Sequence, residues 1–72
     1  MNVLVVIPCY NHQISCDQLV SSINEKYDII VIDDHSVPKY ISSINDLVIH
    51  RNIKNMGKGY CIKYAANYAL KN

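Results

Sequence analysis

The chain has 72 residues, half of them apolar, and a net charge of +1 because seven Lys and Arg nearly balance six Asp and Glu. This length allows one small domain over residues 1–72, whose core leaves a narrow stability margin. The near-neutral charge without a Lys/Arg run argues against electrostatic nucleic-acid binding and against a polybasic membrane surface.

Cys9, Cys16 and Cys61 form an odd set at uneven spacing. A disulfide framework normally uses an even number of cysteines, so we expect free thiols. The first apolar run, residues 3–7, is too short for a signal peptide and lacks a basic flank. No segment is long enough to cross a bilayer. Together these features predict a cytoplasmic protein without a membrane span.

Three short apolar runs predict β-strands at residues 3–7, 29–32 and 47–49. The first two are continuous and rich in β-branched residues, which is typical of strands buried on both faces. Pro8 is expected to end the first strand, because its ring removes a ladder donor.

Helix-like stretches follow each strand. Ser15 begins a Ser-x-x-Gln capping box and so predicts the start of a first helix. Pro38 fits the first turn of a short second helix, and residues 56–59 lead into a third helix that runs through Leu70. The order β-α-β-α-β-α predicts a Rossmann-like, three-layer α/β fold with a short parallel sheet.

Polar residues follow all three predicted strands, at residues 9–12, 33–36 and 51–59. In an open parallel α/β sheet, ligands bind beyond the carboxyl ends of the strands. We therefore expect these three polar segments to meet at one rim of the sheet and to form a ligand site there.

The residue types at this rim suit a nucleoside diphosphate. Tyr10 offers a flat ring on which a base can stack. Asp33 or Asp34 can accept hydrogen bonds from a base or a ribose. The glycines on either side of Lys58 let backbone amides approach an anion at a helix N-terminus, and Lys58 adds positive charge.

Each of these signals also has a plainer structural explanation. The Asp-Asp pair can be a turn and a helix cap, and the Gly-Lys-Gly segment matches neither a Walker nor a dinucleotide motif. Cys9, His12 and Cys16 fit no standard zinc spacing, and Cys61 is expected in the core. A tyrosine stripe in the last helix is expected to be a packing or contact face: Tyr60, Tyr64 and Tyr68.

The motifs nevertheless resemble those of family-2 glycosyltransferases. Residues 5–12 resemble the opening "V-I-P-x-Y-N" strand and loop, and residues 30–36 are similar to the "I-V-D-D-x-S" element. Residues 51–59 resemble the "N-x-G-K-G" segment that precedes a helix in that family. The three motifs occur in the family's order and cover essentially the whole chain.

This resemblance implies the N-terminal part of a GT-A fold, which binds a nucleotide-diphosphate sugar for transfer of a hexosyl-type unit to a polysaccharide, lipid or protein. It also implies roles in the nucleoside pocket, at the base or ribose, and near the phosphates. The matching positions are Pro8, Tyr10 and Asn11 for the pocket, Asp34 and Asp33 for the base or ribose, and Lys58 for the phosphates.

Two parts of the family's machinery have no counterpart in this sequence. There is no Asp-x-Asp motif for the divalent cation, Mg or Mn, that the resemblance implies for the full-length family, and no later Asp or Glu base. Asp33 and Asp34 are not expected to replace the motif, because adjacent residues on an extended segment point apart. We therefore expect a truncated domain without transferase activity of its own, and we assign no catalytic residue.

Two rival interpretations come from other classes. A stand-alone nucleotide-binding or interaction module, forming a homo-oligomer through exposed sheet edges, would use the unpaired strands of a three-stranded sheet. An unrelated doubly wound domain fits poorly. A receiver needs its acceptor Asp where this chain has His50-Arg51, and a reductase needs glycines where this chain has residues 8–11.

Overall fold

A computed structural model describes residues 3–71 of the chain. It contains β1 (Leu4–Cys9), α1 (Gln13–Ile23), β2 (Asp28–Asp33), β3 (Val48–Arg51) and α2 (Lys58–Lys71). The strands form a parallel sheet in the order β1-β2-β3. The predicted α/β class with a short parallel sheet is confirmed, and the three predicted strands agree with the observed ones to within two residues at each end.

Pro8 lies inside β1, opposite Ile32 of β2, so the prediction that it ends the strand is wrong. The carbonyl of Cys9 accepts the amide of Asp34, which follows β2, at 2.8 Å. Because backbone groups of successive residues alternate in direction, those of Pro8 face the free edge of the sheet. A missing N–H costs nothing there, which is why proline is tolerated on edge strands.

Helix α1 begins at Gln13, two residues before the predicted capping box, so Ser15 lies inside the helix and does not cap it. Asn11 has a left-handed φ of 55°, which turns the chain directly out of β1. The carbonyl of His12 then accepts the amide of Cys16 at 2.9 Å as the first helical bond. The His12 side chain makes no capping hydrogen bond.

No helix forms between Pro38 and the start of β3, so the predicted short second helix is wrong. The segment from residue 40 to residue 43 instead lies against α1. The Asp17 carboxylate accepts the Tyr40 hydroxyl at 2.9 Å and both the amide and the hydroxyl of Ser43. Gln13 accepts the amide of Ile41 at 2.8 Å and donates to its carbonyl. Because side chains of α1 satisfy these backbone groups, the segment needs no helical hydrogen bonds.

Apolar side chains cover both faces of the sheet, as the continuous strand sequences predict. One cluster lies between the sheet, α1 and the segment around Tyr40, and it is centred on Val20 and Val31. The other lies under α2 and includes Ile30, Ile32, Cys61 and Ala65, with Tyr64 and Tyr68 packed beside it.

The side chains of α2 and the cysteines agree with the sequence analysis. Cys61 is in the core, as predicted, and Tyr64 packs with its ring centre 3.8 Å from that of His50. All three cysteines are free and buried. No helix in residues 3–71 has the length and apolar character needed to cross a bilayer.

Replacing Asp17 with Ala tests how the segment around Tyr40 is held. The change removes hydrogen bonds to Tyr40, Ser42 and Ser43, so we expect a loss of about 2 kcal/mol in the free energy of unfolding. Urea titration followed by circular dichroism measures the loss. Glu25→Ala is the control, since Glu25 is exposed and follows the end of the same helix. Equal stability of the two variants would contradict the assigned role of Asp17.

Candidate functional site

The three polar loops meet at the carboxyl end of the sheet. Asn11 donates its amide to the Ser36 hydroxyl and accepts the amide of Val37 on its side chain, both at 2.9 Å, which joins the first loop to the second. The Asp34 carboxylate accepts the amides of Met56 at 2.7 Å and Gly57 at 2.9 Å, which joins the second loop to the third. The single rim expected from parallel strands is therefore present.

A cavity of about 370 Å³ opens at this rim, between the first loop and the start of α2. Its volume falls within the range of small-molecule sites in proteins, which begins at about 300 Å³. Tyr10 is 48% exposed beside it, and Lys58 is the first residue of α2. The lining consists of Pro8, Cys9, Tyr10, His12, Asp34, Lys58 and Cys61.

Four of the six predicted binding residues, Pro8, Tyr10, Asp34 and Lys58, thus surround one cavity. Asn11 lies outside its lining, in a smaller neighbouring cavity of about 100 Å³. The left-handed backbone of Asn11 and its two hydrogen bonds to the second loop give it a structural role in shaping the rim.

Asp33 also lies outside the lining, and its carboxylate is fully engaged within the protein. The side chain is 1% exposed and accepts the amides of Ser36 and Tyr40 and the guanidinium of Arg51, at 2.8 to 2.9 Å. Burial acts to raise the pKa of this carboxyl, but the hydrogen bonds from these three residues outweigh it and hold the pKa below the usual 3.8. Asp33 therefore ties the second loop to β3.

Asp34 points to the other side of the sheet, toward α2, as consecutive residues of a strand must. It is 5% exposed and accepts the Asn52 amide group at 2.8 Å in addition to Met56 and Gly57. Burial opposes ionisation here too, yet these three donors lower its pKa. The carboxylate thus stays ionised at the edge of the cavity.

The backbone amides of the segment before α2 are not all available to bind an anionic ligand. Asp34 already occupies the amides of Met56 and Gly57, and its charge sits at the positive end of α2. The first helical bond runs from Cys61 to the carbonyl of Gly57, so the amides of residues 58–60 lie in the turn that α-helix geometry leaves without internal partners. Those amides, with the ammonium group of Lys58, are what remains for an anionic ligand.

Three residues at the cavity have no binding role predicted from the sequence: Cys9 and Asn52, which belong to the polar segments of the rim, and Cys61, which is expected in the core. Asn52 is 3% exposed and bridges Asp34 and the Cys61 sulfur, while its Oδ1 has no hydrogen-bond partner within residues 3–71. The only signal for this role is its position directly after β3. Cys61 lines the cavity because it lies one turn into α2, on the face that packs toward the strand ends.

The divalent cation that the glycosyltransferase resemblance implies does not fit the residues of this rim. The only carboxylate in the cavity lining is Asp34, and one carboxylate that three N–H donors already share gives a divalent cation too few oxygen ligands. Residues 3–71 contain no cluster of three His, Cys, Asp or Glu side chains suited to a metal ion.

Two glycines before and within α2 give a matched test of the rim's geometry. Gly57 has a φ of +87°, which disfavours a side chain, whereas Gly59 lies in the first turn of the helix, and both have open space at the Cβ position. We expect Gly57→Ala to lower the free energy of unfolding by about 1–2 kcal/mol. Gly59→Ala should raise it by up to about 1 kcal/mol. Denaturant titration measures both, and a stabilised Gly57→Ala variant would contradict the left-handed geometry.

The lowered pKa values of Asp33 and Asp34 predict how stability depends on pH. Their folded pKa lies below the unfolded value of 3.8, so the stabilisation is complete above that value and is lost as the pH falls through the folded pKa. We expect a level free energy of unfolding from about pH 7 to 5 and a decline below about pH 4. Asp34→Asn should reduce this decline, whereas Asp28→Asn, at an exposed carboxylate, should not. Denaturation curves at a series of pH values measure the slope, and a flat wild-type profile down to pH 3 would refute the assignment.

The rim therefore combines a half-exposed tyrosine, one hydrogen-bonded carboxylate and a lysine at a helix start around a ligand-sized cavity. No family model, curated protein or solved structure matches the chain.

Proposed function

We propose that the chain binds the nucleoside diphosphate part of a nucleotide-diphosphate sugar, as the Rossmann-like N-terminal portion of a glycosyltransferase of the GT-A type. The observation that carries the proposal is the single cavity shared by four residues from three parts of the chain, namely Pro8 and Tyr10 at the end of β1, Asp34 after β2 and Lys58 at the start of α2. The Tyr10 ring can stack on the base, the Asp34 carboxylate can accept a hydrogen bond from the base or the ribose, and the Lys58 ammonium group can bind the diphosphate.

Tyr10 is the stacking surface for the base. Tyr10 is 48% exposed although it follows the buried Cys9, and it lines the cavity, so it is accessible to a ligand there. Stacking of a nucleobase on an aromatic ring contributes about 1–3 kcal/mol by alanine substitution. Pro8, exposed in β1 two residues before Tyr10, adds a second rigid apolar side chain to the lining of the cavity.

Asp34 is the acceptor for a base N–H or a ribose hydroxyl. Its Oδ1 receives two donors, from Asn52 and Met56, its Oδ2 receives the amide of Gly57, and the Cys61 thiol is a further hydrogen-bond partner of the carboxylate. A thiol is a weak donor, so a hydroxyl or N–H group of a ligand in the cavity can take its place. Because the lowered pKa keeps Asp34 ionised, that bond is charge-assisted.

Lys58 and the start of α2 form the phosphate side of the site. The ammonium group and the first-turn amides favour a diphosphate. The Asp34 carboxylate partly offsets this attraction, because it holds the amides just before the helix. The diphosphate is therefore held by Lys58 and residues 59–60 rather than by Gly57, and its affinity depends on salt.

Binding without transfer is the activity expected of this polypeptide by itself. The cavity holds one carboxylate, and that carboxylate already accepts N–H donors, so no carboxylate there is free to deprotonate an acceptor hydroxyl. In a parent enzyme the nucleotide site would present the sugar for transfer to a polysaccharide, lipid or protein acceptor.

Calorimetric titration with UDP, GDP, ADP and the matching monophosphates tests the proposal. We expect a nucleoside diphosphate to bind, with Tyr10→Ala weakening the affinity about 5- to 100-fold. Lys58→Ala should weaken the affinity roughly tenfold, because it removes one charge-assisted hydrogen bond to the diphosphate. The affinity of this variant should also depend less on the salt concentration.

The controls replace the same residue types away from the rim. Tyr27→Ala changes a tyrosine of similar exposure at the opposite end of the sheet, and Lys63→Ala changes an exposed lysine further along α2. Both variants should bind as the wild type does. Absence of binding by every nucleotide at millimolar concentration, or equal losses in control and site variants, would overturn the proposed function.

A further inference from the structure

The side chain of His12 borders the cavity at the rim without contributing to the fold. His12 directly precedes α1 and is exposed, and its imidazole makes no capping hydrogen bond to that helix. Among residues 3–71 the imidazole has no hydrogen-bond or ion-pair partner. Its two ring nitrogens are therefore available to a ligand in the cavity.

The other charges around the cavity cancel. The lining contains one Lys, Lys58, and one Asp, Asp34, which stays ionised although burial opposes its charge. Histidine is the residue type that normally changes its charge between pH 5 and 8. The cavity is therefore close to neutral when His12 is neutral, and it carries a net positive charge when His12 is protonated.

A nucleotide-diphosphate sugar brings a constant negative charge to this site. Each of its two phosphates is linked on both sides, so neither gains or loses a proton between pH 5 and 8, whereas a terminal phosphate loses its last proton near about pH 6. A cavity of about 370 Å³ is roughly 9 Å across, which is comparable to the Debye length of about 8 Å at physiological salt. His12 thus acts on a diphosphate in the cavity even where the two do not touch.

The cavity lies between the starts of two helices. His12 precedes α1, Lys58 begins α2, and neither helix has an acidic residue in its first turn. The partial positive charge of a helix start opposes a further positive charge on His12 in the free chain. A bound diphosphate offsets that opposition, so ligand binding and protonation of His12 favour each other.

Other ionisable groups face His12 from each element around it. In the cavity lining they come from the end of β1, from the residue after β2 and from α2, and none of them is a second histidine: Cys9, Tyr10, Asp34, Lys58 and Cys61. Within α1, Cys16 is buried and the carboxylate of Asp17 accepts hydrogen bonds from the segment that leads to β3. His12 is therefore the group around this cavity that accounts for a change of charge between pH 5 and 8.

We propose that His12 is a specificity-determining residue of the nucleotide site, which in its protonated form attracts the diphosphate together with Lys58. This role rests on the proposed binding of a nucleotide-diphosphate sugar at the rim. It makes the affinity rise as the pH falls through the range in which His12 gains its proton. The sign follows because protonation adds a positive charge to the cavity while the charge of the ligand stays constant.

Calorimetric titration with UDP-glucose, GDP-mannose and ADP-glucose between pH 5.5 and pH 8 tests this role. The sugar nucleotide that binds should bind about three- to tenfold more tightly at pH 5.5 than at pH 8, as expected for one screened charge near a dianion. Titrations at pH 7 in two buffers of different ionisation enthalpy should show that binding takes up a fraction of a proton.

Two replacements of His12 should give opposite results. His12→Gln is neutral at every pH, so its affinity should stay at the level that the wild type has at pH 8. His12→Lys is charged throughout, so its affinity should stay near the level that the wild type has at pH 5.5. Both variants should keep the denaturation midpoint of the wild type, because the side chain is exposed and does not cap α1.

His35 provides the matched control at the same rim. It lies outside the cavity lining, and its Nδ1 is 3.1 Å from the carbonyl oxygen of Asn52. His35→Asn removes a histidine in favour of a residue that tolerates the left-handed φ of 68° at this position. The pH dependence of the affinity should remain in this variant.

The results distinguish a wrong role for His12 from a wrong site. An affinity that is the same at pH 5.5 and pH 8 would overturn the role of His12 and leave nucleotide binding intact. A pH dependence that persists in His12→Gln, or that His35→Asn abolishes, would overturn it equally. Absence of binding by all three sugar nucleotides and by the free nucleotides at every pH would instead overturn the proposed function, and the role of His12 with it.

Discussion

The structure depends on two adjacent carboxylates at the end of the central strand. Asp33 holds the loop after β2 and the guanidinium of Arg51 on one side of the sheet, and Asp34 holds the segment before α2 on the other. Each is almost fully buried, so each costs desolvation energy that only several donors can offset. Because neighbouring side chains of a strand point to opposite faces of the sheet, these two adjacent residues hold the loops on both faces in place.

This arrangement explains which features the sequence predicts well. The strands are continuous apolar runs bounded by polar residues, and α2 carries Cys61 and Ala65 at core spacing, so periodicity alone places them. The segment after Pro38 carries helix-like spacing too, yet it is held by Asp17 and Gln13 from α1. Such long-range side-chain bonds to a backbone leave no local signal, and local pattern therefore predicted a helix where none forms.

The candidate site, too, can be predicted from the sequence only in part. Parallel topology is sufficient to bring the three loops to one rim, and residue type is sufficient to nominate Tyr10 and Lys58. The direction of each carboxylate is not readable in the same way, because Asp33 and Asp34 are identical in type and adjacent in sequence. Only the positions of Arg51, Asn52 and the amides before α2 decide that Asp34 borders the cavity and Asp33 does not.

The burial of all three cysteines gives the chain a chemical signature of its folded state. Burial raises the pKa of Cys16 to about 12, helped by the neighbouring Cys9, and it raises the pKa of Cys61 as well. Thiols held protonated and out of water are poor nucleophiles. Alkylating reagents would therefore modify Cys16 and Cys61 at a rate set by transient opening of the sheet and its helices, so that modification of these two thiols reports the local stability of α1 and α2 without any added label.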